Sequence, residues 1–433
     1  MKHIQYLLLL SGLLACNPAE VTTQTDQEGV VTQLPHVWKS SISDGKVRST
    51  GLYHGYIIDN RGVLAMAVRK TARPGLYSDS YLQLKDLETG ENIWTWDEFH
   101  NQSAGSLHNS IGLYPNMMLV HDGPYDYAIN TNSGTTIWKK DNMLHSATPY
   151  PAFLDQKFYF TANGPTPASK NRVEDGVFVG DVNTGEISEL TVPKYSEEYS
   201  VSKPGLPYYV GSLIRIEAFK KDNMDYLVVP HVEMGPNIKY NDNRAYFGLY
   251  NITQKKWVYE RIPLNYPDEG TSTSLKPIVD GDLVYLTSLN SLACFEVMTG
   301  KQVWQRKVTD DYTGFNYMIK VGDKLLINGD NATLYCLNAA TGSVLWTQKA
   351  SIITSDLYQQ DGVVYYIYTK YLLAVDINSG KLLWDMPSPD IKWEKRGDSW
   401  FAGFVAGIPG KDGKKGKIFA STNYNVYCFE AAK

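Results

Sequence analysis

Eight histidines occur in 433 residues, and all of them precede residue 232. Five stand among carboxylates and tyrosines. "HDGPYDY" sets Asp122, Tyr125 and Asp126 beside His121, Pro149 and Tyr150 follow His145, and "PHVEMG" sets Glu233 beside His231; His100 and His108 complete the group. Imidazoles with carboxylates are what a divalent cation or a general acid–base pair needs. His108 opens one strand signal and His121 closes the next, so a turn near Tyr114-Pro115 would set them across from each other. They are the metal candidates. Their spacing matches no metal signature, and hydrogen-bonded loop histidines beside aromatics are the simpler reading. Other chemistries lack their residues. There is no G-x-x-x-x-G-K-S/T phosphate loop and no Cys-x-x-Cys for a zinc ribbon or attached haem. A net charge of -5, without a basic stripe, gives no support for nucleic-acid binding.

What must position these residues is a repeat. "LKDLETGENIW", "AINTNSGTTIW", "CFEVMTGKQVW", "CLNAATGSVLW" and "AVDINSGKLLW" each place Trp four residues after Gly: Gly90/Trp94, Gly134/Trp138, Gly300/Trp304, Gly342/Trp346 and Gly380/Trp384. An acid or Asn stands four before the Gly. "VGDVNTGEIS" keeps Gly185 and lacks the Trp; "LYNITQKKW" is a degraded copy ending at Trp257. The apolar alternation before the acid is a strand. Asp/Asn-x-x-Thr/Ser-Gly is a tight turn, and the Trp begins the next strand outward. Two further strand signals precede each turn, as in "PIVDGDLVYLTS". Each repeat therefore reads as four antiparallel strands, A to D, at the spacing of propeller blades. The end "NVYCFEAAK" holds a C strand without its D strand, and "LPHVWKSSIS", with Trp38, supplies it from the other end. Closure of this kind removes exposed edges. The expectation is an all-β, eight-bladed β-propeller over residues 34–433, with seven or nine blades left open by the degraded copies. Cys294, Cys336 and Cys428 share one C-strand phase with Ala128 and Ala374, a position that wants a small buried residue.

This pattern resembles the PQQ-like β-propeller repeat, and the whole plan resembles BamB-type outer-membrane lipoproteins. "MKHIQYLLLLSGLLAC" reads as a secretory signal over residues 1–15. Leu13-Leu14-Ala15-Cys16 resembles a lipobox, which implies lipid on Cys16; Asn17 favours the outer membrane. Residues 16–33 read as a polar tether.

Antiparallel order sends the B–C and D–A loops to one rim of the ring. The long loops 71–79, 164–175, 235–244 and 194–207 and all five histidines fall there. That rim, with His100, His108, His121, Asp122, Tyr125, His145, Pro149-Tyr150, His231 and Glu233, is the candidate binding face. The expected protein is a monomeric, non-enzymatic scaffold anchored by lipid in the cell envelope, on the periplasmic face or the cell surface. It would bind an outer-membrane or periplasmic protein, as the BamB resemblance implies, or a polysaccharide, which its 31 tyrosines suit. No cofactor is expected. The competing reading is an enzyme on the same rim: a quinoprotein-like dehydrogenase with PQQ, or a lyase or hydrolase of polysaccharides using a divalent metal.

Overall fold

A computed structural model describes residues 22–26, 29–43, 52, 55–68, 80–99, 111–122, 125–141, 151–162, 176–193, 211–213, 215–233, 244–264, 275–288, 290–308, 314–350, 355–368, 370–390 and 400–433. Every regular element among them is a β-strand. The strands form eight antiparallel blades arranged in a ring. Blades 1 to 7 span 57–96, 111–141, 152–191, 211–263, 278–307, 315–349 and 358–387. Blade 4 carries its A strand in two pieces, Gly211–Leu213 and Glu217–Lys221, both paired to Met224–Glu233. Blade 8 is split. Phe401–Ile408, Lys417–Thr422 and Asn425–Glu430 are completed by His36–Ser41, with Trp38 opposite Cys428 and Lys39 opposite Tyr427. The ring closes through the N-terminal strand, as the sequence predicts.

Burial follows from position in the blade. Gly62–Val68 is buried at every residue, because middle strands face a neighbouring blade on both sides. The outer strand Thr136–Asp141 alternates between half-buried and exposed residues.

The repeated turn works as its residues require. Asp86 Oδ1 accepts hydrogen bonds from the backbone N–H groups of Glu88 (2.8 Å) and Thr89 (2.9 Å). The Gly90 N–H then donates to the Asp86 carbonyl at 3.0 Å. The tryptophan that follows is an inter-blade plug. Its Nε1–H donates to a backbone carbonyl in the turn of the next blade: Trp38 to Leu87, Trp94 to Thr131, Trp138 to Val182, Trp304 to Ala339 and Trp346 to Ile377, at 2.8–3.1 Å. The indole lies over that turn's glycine. A Cβ built on Gly342 would stand 2.6 Å from the Trp304 ring.

Trp257 is not the plug of blade 4. The ladder sets Trp257 opposite Tyr250 and Tyr259 opposite Leu249, the position that Trp94 holds opposite Leu84. Tyr259 does the work, its hydroxyl donating to the Val297 carbonyl at 2.7 Å. The three cysteines are free and buried. Each lies directly opposite a plug tryptophan: Cys294 and Trp304, Cys336 and Trp346, Cys428 and Trp38. Burial pushes the Cys294 and Cys428 thiols up to about 12 and Cys336 up to about 11, which leaves them unreactive.

The split blade has its own lock. Asp390 accepts hydrogen bonds from Thr422 (2.6 Å), Asn425 (2.6 Å) and Tyr427 (2.5 Å) and pairs with Lys39 at 3.3 Å. Burial pushes its carboxyl up, but these donors and the Lys39 charge outweigh burial and hold it below the usual range. Within the stretch expected as a tether, Thr22–Asp26 pairs with Gly29–Gln33 in a separate two-stranded ladder beside Leu382–Pro387. Its Thr and Val residues suit a strand. Cys16 and the signal segment lie outside the described residues. No helix among the described residues is long and apolar enough to cross a membrane.

Two glycines separate the cost of the plug from the cost of backbone conformation. Gly342 has φ +70 and lies under Trp304, whereas Gly281 has φ +59 with nothing within 4 Å of a built Cβ. Gly281→Ala is expected to cost about 1 kcal/mol and Gly342→Ala about 2–4 kcal/mol in denaturant unfolding, the excess being the displaced indole.

Candidate functional site

The B–C corner of blade 2 carries the part of the expected rim that is best defined. Met117–Asp122 and Tyr125–Asn130 pair so that Asp126 stands directly opposite His121. His121 Nδ1 lies 2.8 Å from Asp126 Oδ1; the His side chain is 25% exposed and the Asp 5%. With Nδ1–H donating to the Asp126 carboxylate, Nε2 is the ring nitrogen left for metal ligation, proton transfer or hydrogen bonding to a partner's hydroxyl or amide. Beside this pair, Lys139 Nζ stands 3.9 Å from the ring centroid of Tyr125 and 5.3 Å from that of Tyr127. An aromatic surface with a lysine over it offers apolar area and a charge at one place.

The B–C corner of blade 4 is a packed counterpart. His231 is fully buried. Its ring stacks on Tyr246, the residue opposite it in the ladder, at 5.5 Å, and Arg261 covers the same tyrosine at 4.7 Å. Desolvation lowers the His231 pKa to about 4, with Arg261 adding to the effect and a backbone hydrogen bond to Val229 opposing it. The imidazole is therefore neutral at physiological pH and serves packing.

The structure thus separates residues that the sequence groups. His121 and Tyr125 present a surface, while His231 is core. For Asp122 and Glu233 only the backbone is described, in the last residues of their B strands. His100, His108, His145, Pro149 and Tyr150 lie outside the described residues, as do the long loops. Among the described residues no three His, Cys, Asp or Glu side chains gather as a metal site. Lys139 and Arg261 were missed by sequence reading. The signal available for them was their register on the neighbouring D strand, readable only after the bulges are placed.

A second polar cluster lies on the ring axis. The innermost strands line a cavity of about 330 Å³ with Tyr56, Phe153, Arg215, Lys276, Tyr317 and Asp356. Lys276 pairs with Glu217 at 2.5 Å, and Asn316 donates to Asp330 at 2.7 Å. A quinone held with a divalent cation, which the quinoprotein resemblance implies, needs a cluster of oxygen ligands. The described residues do not fit that group, since the lysine and the amide are engaged by neighbouring carboxylates and no ligand cluster forms.

Comparison with known proteins places these features in a family context. Residues 293–392 match the family described as "Outer membrane protein assembly factor BamB". An outer membrane protein assembly factor BamB of Shewanella oneidensis is 27% identical over 149 residues, 33% of this chain and 37% of that protein. The chain therefore spans little more than a third of this curated relative in the match. The crystal structure of BamB from Moraxella catarrhalis superposes with a TM-score of 0.55 at 11% identity, covering 92% of this chain and 99% of that one. Quinohemoprotein alcohol dehydrogenase from Comamonas testosteroni superposes with a TM-score of 0.60 at 10% identity, covering 92% and 76%. At these identities the structural likeness is one of fold alone. The resemblance to the PQQ-like repeat and to BamB stands, with its sequence signal in blades 5 to 7.

The buried imidazole gives a pH test. A neutral His231 costs stability wherever the unfolded chain binds a proton that the folded one does not. That window runs from the ordinary histidine pKa of about 6.5 down to about 4. Stability is expected to be complete above pH 7 and to fall by roughly 3 kcal/mol as pH drops through this window. Unfolding of His231→Phe, compared with the parent from pH 7 to pH 4, should lack that part of the decline.

Proposed function

We infer that this propeller is a lipid-anchored scaffold of the bacterial outer membrane that binds a protein partner in outer-membrane protein assembly through its B–C/D–A rim. The observation that carries the reading is the match of residues 293–392 to the BamB family, joined to a curated relative named as an assembly factor. The fold supplies the physical means. A closed ring with a plug at most blade junctions holds rim residues on rigid strands, so a partner meets preformed contacts and little ordering entropy is spent. At blade 2 those contacts are the oriented His121 and the Tyr125–Lys139 pair. Fold by itself assigns no function, and the quinohaemoprotein neighbour shows how far chemistry varies on this frame.

The test separates anchor from rim. Cys16→Ser should move the protein from the membrane to the soluble fraction and abolish palmitate labelling. The double variant His121→Ala/Tyr125→Ala should stay anchored yet lose cross-links to outer-membrane assembly proteins. Both should lower the outer-membrane content of β-barrel proteins in a strain lacking the parent gene. Unchanged barrel content when the protein is deleted would overturn the assembly role.

One observation favours a second reading. The His121–Asp126 pair is the arrangement that orients an imidazole for catalysis or metal ligation. Metal analysis of the purified protein decides it. About one tightly held ion per chain, lost in His121→Ala, would favour an enzyme acting on envelope polysaccharide; a metal-free protein with a featureless absorption spectrum favours the scaffold.

A further inference from the structure

Seven outer strands reach a neighbouring C–D turn or the place where one belongs, and among the described residues one of those places holds no turn. Closing the ring through the N-terminal strand leaves blade 8 without a covalent C–D turn, because its D strand comes from His36–Ser41. Trp384 of blade 7 is the plug that should enter there. It stands opposite Ala374 in its ladder, as Trp138 stands opposite Ala128. The other plug tryptophans donate Nε1–H to the residue after the turn's acid or amide. The counterpart in blade 8 is Ala431, which follows Glu430 and donates its N–H to the Gly416 carbonyl as Leu87 does to Arg61. Trp384 makes no such bond to it. Instead the indole borders a cavity of about 370 Å³ between the two ends of the split blade, with Pro35, His36, Val37, Lys415 and Ala432 among its walls. Val37 is 49% exposed.

The chain itself shows what this surface accepts. Under four other plugs lies a glycine with φ between +69 and +72, close enough that a Cβ would stand 2.5–2.7 Å from the ring: Gly90, Gly134, Gly342 and Gly380. Beside each, a turn carbonyl receives the indole proton. We propose that the Trp384 cavity is a docking site for a partner polypeptide, which enters with a glycine-bearing β-turn and supplies the glycine surface and the carbonyl acceptor that the Trp384 indole does not find in blade 8. The site takes turns in which glycine has positive φ and follows an acid or Asn by four residues. It rejects turns with a side chain at the glycine, for the steric reason that operates inside the ring. It lies on the C–D side of the molecule, at the opposite end from the His121 rim, so its occupation is independent of the assembly partner inferred above.

The experiment uses the full chain and a hairpin peptide copying Val375–Leu382, which contains the Asp-Ile-Asn-Ser-Gly turn. Calorimetric titration should give millimolar or tighter affinity, with a shift of one indole N–H resonance that is missing in Trp384→Phe. The same peptide carrying Gly380→Val should bind at least about tenfold more weakly, a control that leaves the protein unaltered. Trp384→Phe should bind more weakly than the parent, and His121→Ala/Tyr125→Ala as well as the parent. Equal binding of the glycine and valine peptides, binding unaffected by Trp384→Phe, or no heat and no shift at saturating peptide would each overturn the proposal. So would binding that appears only after residues 17–33 are removed, which would make the chain's own N-terminal hairpin the occupant.

Discussion

The ring depends on a tryptophan laid over a glycine of the next blade. A four-stranded sheet buries neither of its faces alone, and the wedge between two blades must be filled at its wide outer end. An indole fills it, provided the facing turn offers a bare Cα and a carbonyl for the N–H. Gly134 under Trp94 and Gly380 under Trp346 show the contact in full.

The same constraint explains the two degraded repeats as one event. Blade 3 has Ser188 and Glu189 where its neighbours carry tryptophan. Blade 4, which would receive that ring, has Lys255 at φ +52 in place of glycine. Donor and receiver are missing from the same junction. That junction is packed differently, by Leu190 and Val192 of blade 3 with Tyr250, Ile252 and Trp257 of blade 4. On its other side blade 4 keeps the contact in altered form: Ile262 lies closest over Gly300, and the Tyr259 phenol beside it reaches the same carbonyl position. Sequence divergence is thus confined junction by junction, because each plug meets only its own turn.

Rigid closure also separates structural from available polar groups. His231 and Asp390 carry titratable side chains that the fold has used up, one by stacking within the sheet and one by gathering four partners across the split blade. His121 and Tyr125, at the ends of paired strands in blade 2, keep part of their surface exposed.

Much was legible in the sequence. The six Gly-anchored turns, the split closing blade and the small residues opposite most of the tryptophans all follow from local spacing, because a turn needs particular residues at fixed offsets and a strand alternates with period two. The expectation of five histidines on one rim came from topology, and His100, His108 and His145 lie outside the described residues. Histidine chemistry was not legible, since a corner position does not say whether a ring lies under a tyrosine or beside a carboxylate: His231 and His121 read alike in sequence and differ in burial and partner. The plug of blade 4 was misread for a related reason, as Trp257 is the more conspicuous residue and only the ladder shows that Tyr259 holds the place. The repeat is written in residues near one another along the chain, so sequence alone determined the ring; burial, register and the unfilled site at Trp384 arise between blades, where only tertiary packing decides.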